Sequence, residues 1–179
     1  MRSVLRALHG VNNVLETVIK VLAGLLVAFM VVTVFGGAVT RYITGIGYNV
    51  VMELPPMLMP WLVFPVAGIL MRGGSHIAVD FLPERLSPKP ARALRALVSA
   101  IAVLAGITFC FAGYEATALF KLVGQKTEME WAFPIWWLYL SFPVGFAILT
   151  SFALENLLNA LLGDPGAEAP EKDYEQAGA

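Results

Sequence analysis

The chain has 179 residues, 58% of them hydrophobic and 14% charged, and a mean hydropathy of +0.73. Soluble domains run about 45–50% apolar and about 25% charged, so this chain lacks the charges to cover a water-facing surface and reads as an integral membrane protein. A net charge of −1 without a clustered basic face excludes a nucleic-acid footprint, and a single cysteine, Cys110, excludes an internal disulfide and reads as a packing residue.

Taken in chain order, residues 1–17 and those just after them place Val4, Leu8, Val11, Leu15 and Val18 at helical spacing, with Arg2, Arg6, Asn13, Glu16 and Lys20 at the polar positions. This predicts an amphipathic helix along the cytoplasmic surface that runs into the first span. The charge-free run Val21–Thr40 has 20 residues, enough at about 1.5 Å each to cross a hydrocarbon core of about 30 Å. It exceeds a signal-peptide core and is expected to remain as an anchor. Three further charge-free runs follow: Leu54–Met71, Ala96–Tyr114 and Trp131–Leu154. The predicted fold is therefore an all-α integral membrane protein whose four transmembrane helices lie within 18–162, at about 18–41, 50–72, 94–115 and 131–158. Between spans two and three, about 75–92, "SHIAVDFLPERLSPKPAR" is basic and punctuated by Pro83, Pro88 and Pro90. It reads as a second interfacial segment held by membrane lipids. Residues 163–179 carry five acids against Lys172 alone and read as an acidic disordered tail.

Lysines and arginines set the orientation. Nine lie in the N-terminus, the second loop and the tail, against Arg41, Lys121 and Lys126 on the other side. Positive charge stays inside, so both termini of this multi-pass chain are expected in the cytoplasm.

His76 and Asp80 stand four residues apart, on one face of a helix. A zinc site needs three or four ligands, and the other histidine, His9, is distant in sequence. The pair therefore reads as a polar cap on an interfacial segment, and no metal, cofactor or catalytic residue is assigned. None of the four charge-free runs contains Asp, Glu, Lys, Arg or His; Glu16, Glu115 and Glu155 sit at edges. Ion-coupled carriers place ionisable groups within the membrane, so the chain is not expected to carry a substrate alone. In "ELPPMLMPWLVFPVAG", Pro55 and Pro56 suit an opening turn, while Pro60 and Pro65 are expected to kink or break the helix. Broken helices build transport sites, but a bent packing helix is the simpler reading. Trp61, mid-span, needs a partner for its indole N–H and should face another helix. Trp131, Trp136, Trp137 and Tyr139 form an aromatic belt. Gly24 with Ala28, and Ala102 with Gly106, have spacing that suits close helix contact.

One order of features runs through the chain: Arg41-Tyr42 ending span one, Glu53-Leu54 opening span two, then Trp61, Gly68, Arg72, "HIAVD" from His76 to Asp80, and "ERLSP". "FPIWWLYLSFPVG" follows at the start of span four. This combination resembles the small membrane subunit of TRAP transporters, the DctQ-like family, over about residues 10–160. "YNVVMEL" departs from the family pattern by lacking a Trp and a second acid before Glu53. The resemblance implies a non-enzymatic scaffold in a tripartite, sodium-coupled uptake system for organic acids. Its partners would be a large membrane subunit and a periplasmic substrate-binding protein. Arg41, Tyr42, Glu53, Trp61, Gly68, Arg72, His76 and Asp80 would then be interface or structural residues. Two alternatives stay open on the residues alone: a membrane anchor subunit of a redox enzyme, and a small self-sufficient dimeric transporter.

Overall fold

A computed structural model describes residues 2–47, 49–72, 88–128 and 132–162. These form four helices: α1 (Arg2–Thr44), α2 (Asn49–Arg72), α3 (Pro88–Val123) and α4 (Trp136–Leu162). All four are long and apolar enough to cross a membrane. Of the stretch 1–17, read from sequence as an interfacial helix, the described residues 2–17 are continuous with the first span in one helix of 43 residues. At about 1.5 Å per residue it is about 64 Å long and exceeds the bilayer. Of the interfacial segment at 75–92, the described part, 88–92, is the first turn of α3. The rest of it, Trp131 and the tail 163–179 lie outside the described residues.

Two helix ends use glycine in the left-handed conformation. Gly45 (φ 69°) and Gly124 (φ 66°) follow α1 and α3. Their N–H groups donate to the carbonyls of Arg41 and Phe120, which would otherwise be orphaned. The α3–α4 connection is drawn together by backbone bonds from Thr127 N to Phe133 O and from Ile135 N to Gln125 O, with a short antiparallel bridge between Lys126 and Pro134. Helix α2 runs without interruption through Pro55, Pro56, Pro60 and Pro65.

The helices form an open row rather than a closed bundle. Helix α4 packs on α3 and α2, α2 packs on α1, and α1 also reaches α4 near its own N-terminus; α3 packs on α4 alone. Glycines make the two tightest seams. Gly68 of α2 and Gly106 of α3 are buried where a Cβ would meet Ile148 and Leu149, or Thr150 and Leu149, of α4. Gly145 of α4 lies directly on the backbone of Phe64. Of the two small-residue pairs seen in the sequence, Ala102–Gly106 is therefore at a contact, whereas Gly24 faces open space. Between the seams, Phe64 packs edge-on to Phe142 at 4.6 Å between centroids, and Phe109 lies 5.1 Å from Phe146. Lipid tails are as apolar as these side chains, so close approach and polar contacts, more than hydrophobic burial, hold the row together.

Candidate functional site

The described ion pairs, apart from Glu16–Lys20 within α1, gather at one place, where the N-terminal part of α1 meets the C-terminal ends of α2 and α4. The local cause is a polar stripe on α1. His9, Asn12, Asn13 and Glu16 recur at three- and four-residue steps and share one face. Asn12 is fully buried, while Val11 and Val14 on the opposite face are exposed. The centre of the polar stripe thus turns toward the protein, with His9 and Asn13 still exposed at its margins, while the apolar side faces outward.

Glu155 is the centre. Its side chain is 3% exposed, yet both carboxylate oxygens are occupied. Oε1 lies 2.5 Å from His9 Nδ1, and Oε2 accepts from Asn12 Nδ2 at 2.5 Å. Asn12 also donates to the Ser151 carbonyl at 3.3 Å, and Ser151 Oγ donates back to Asn12 Oδ1 at 2.7 Å. Arg72, 12% exposed, brings α2 into the same network. It donates to Glu16 Oε2 at 2.5 Å, to Asn13 Oδ1 at 2.5 Å and to Glu155 Oε1 at 3.2 Å. Its guanidinium lies 5.5 Å from the centre of the buried Phe152 ring. Lys20 closes the charge balance on Glu16 at 2.5 Å. With His9 neutral, two cations face two anions. His9 Nδ1 also stands 3.3 Å from Arg72. A guanidinium only donates and a carboxylate only accepts, so the short contact to Glu155 assigns the Nδ1 proton to the His9–Glu155 bond. Asn156 Nδ2 donates to the Met71 carbonyl at 3.0 Å and satisfies the end of α2.

This arrangement places a paired, hydrogen-bonded charge network inside the protein, with every buried side-chain polar atom among the described residues satisfied. It offers no metal-binding group of three or more ligands among those residues. Glu155 stands just beyond the charge-free run, at the edge where the sequence places it, and there it is buried and paired.

The residues singled out from sequence divide. Arg72 belongs to the network, and Gly68 belongs to the α2–α4 seam. Trp61 faces another helix, as its indole required: Nε1 donates to the Trp137 carbonyl at 3.1 Å. Arg41, Tyr42 and Glu53 are exposed, and Arg41 and Glu53 do not pair with each other. His76 and Asp80 lie outside the described residues. The aromatic belt also ties helices together. Tyr139 stacks on Phe120 at 4.1 Å, and Lys121 lies 5.4 Å from the Trp136 ring. Sequence reasoning missed His9, Asn12, Ser151 and Glu155 as a group. The available signals were the polar stripe on α1 and the four-residue step from Ser151 to Glu155. Trp61→Phe should remove one interhelical hydrogen bond and lower stability by about 1 kcal/mol, read as a modest fall in unfolding midpoint in detergent; an unchanged midpoint would show the bond contributes nothing.

The family model described as "Tripartite ATP-independent periplasmic transporters, DctQ component" matches residues 30–163. An uncharacterized protein of Sinorhizobium fredii, y4mM, is 25% identical over 135 residues, covering 75% of this chain and 24% of that protein. The chain thus spans about a quarter of the length of that relative. No solved structure matches it.

Proposed function

The chain belongs to the family of DctQ components of tripartite ATP-independent periplasmic transporters, and on that premise we propose that it braces the large transport subunit without conducting solute itself. The family match over residues 30–163 carries this reading. The internal pairing of Arg72, Glu16 and Glu155 supports it, because charges that satisfy one another are not available to a passing ion. The fuller reading is an inner-membrane subunit with both termini in the cytoplasm. Its large partner would take up an organic acid with sodium, delivered by a periplasmic binding protein. Among the described residues, the helix ends fit a bilayer crossing. Asn12 and Arg41 on α1, and Arg92 and Lys121 on α3, are each 29 residues apart. That separation is about 43 Å, close to the roughly 40–45 Å from headgroup to headgroup.

Arg41 and Glu53 are among the exposed charges at the end opposite the network, and we assign them to contacts with the partner proteins. Arg41→Glu and Glu53→Arg should each reduce copurification of the large subunit or the binding protein from native membranes. The double reversal should not restore it, because the two residues do not pair with each other. Unchanged capture by both single variants would remove these residues from the interface. Failure of the wild-type chain to capture a large membrane subunit would contradict the scaffold reading, as would bound quinone or haem.

A further inference from the structure

We infer that the Glu155–Arg72 network is a buried clasp, and that the N-terminal half of α1 has two positions: locked on the α2–α4 pair, and swung away from it. The inference stands on the geometry and does not depend on the proposed function.

Three observations carry it. First, among the described residues, every side-chain hydrogen bond or ion pair from α1 to another helix is made between His9 and Glu16. Beyond the clasp, α1 meets its neighbours through apolar contact, with Ile19 and Met30 buried and Gly37 against Val51. Gly24 and Gly36 face open space. In a membrane such apolar contacts compete on nearly equal terms with lipid tails. Second, the clasp is buried in protein where the charge-free spans end. The side chains of Glu155 and Arg72 are 3% and 12% exposed, while Lys20, further along α1, stays exposed. An ion network buried in protein is costly to leave half-paired, so it favours discrete closed and open arrangements over gradual loosening. Third, the far end of α1 supplies a pivot. Gly45 is in the left-handed conformation and Gly47 follows in the short connection to α2. Opening uncovers the α2–α4 seam at Ser151, which Asn12 holds when α1 is locked.

The test uses the full chain in lipid nanodiscs with Cys110→Ala and pairs of spin labels at exposed sites. One pair, at Val14 and Leu161, reports α1 against α4; a second, at Leu104 and Val144, reports α3 against α4. The double variant Arg72→Gln/Glu155→Gln removes the interhelical ion pairs of these two residues without leaving either charge unpaired. We expect one narrow Val14–Leu161 distance in the parent and a second, longer population in the double variant, with the Leu104–Val144 distance unchanged. An unchanged Val14–Leu161 distribution overturns the clasp. Equal broadening of both pairs also overturns it, because the network would then hold the whole row and not α1 alone.

Discussion

Arg72→Gln should destabilise the helical row by about 3–5 kcal/mol, the cost typical of breaking a buried ion pair from one side. The reason lies in what remains. Glu155 keeps its buried position and its bonds to Asn12 and His9 but loses its cation, while Glu16 keeps only the exposed Lys20. Two carboxylates then face one gap between α1, α2 and α4. Adding Glu155→Gln removes the uncompensated charge and should recover a large part of the loss, although it deletes a second native group. That non-additivity is the signature of a coupled network, and it separates the network from a pair of independent surface contacts. Unfolding midpoints of the parent, both single variants and the double variant in detergent give the cycle. Additive effects, or an Arg72→Gln variant as stable as the parent, would show that the charges are not coupled.

The second large effect is expected at a position with no polar group. A methyl on Gly145 would fall on Phe64, within 2.6 Å of its carbonyl carbon and 2.8 Å of its carbonyl oxygen. Backbone cannot rotate aside as a flexible side chain can, so Gly145→Ala must push α2 and α4 apart. The cost should be about 3 kcal/mol, at the upper end for overpacking. Separation also strains the Phe64–Phe142 edge contact and the bond from Trp61 to the Trp137 carbonyl. Gly24→Ala is the control. Its added methyl meets nothing, and replacing a mid-helix glycine should stabilise the helix by as much as about 1 kcal/mol. Equal effects of the two substitutions would mean that the α2–α4 seam is not as close as described.

The spans were legible because lipid imposes a simple rule: a helix long enough to cross, without a charge in it. Trp61 was legible for a related reason, since an indole N–H in hydrocarbon demands a carbonyl and the neighbouring helix supplies Trp137. The clasp was not legible. Periodicity on α1 identifies a polar face but not what that face meets, and water or a buried carboxylate satisfies the same pattern. His9 and Glu155 are 146 residues apart, Arg72 and Glu16 56 apart. Nothing local in the sequence announces those encounters. The small-residue pairs show the same limit: the spacing is equal in Gly24–Ala28 and Ala102–Gly106, and only the second lies against another helix.

In the proposed role, this chain supports transport and does not perform it. Uptake into liposomes tests it most directly, with the chain alone, the large subunit alone, and both together, each with binding protein, organic acid and a sodium gradient. Uptake is expected only when both membrane subunits are present, and accumulation of solute by liposomes holding this chain alone would contradict the claim.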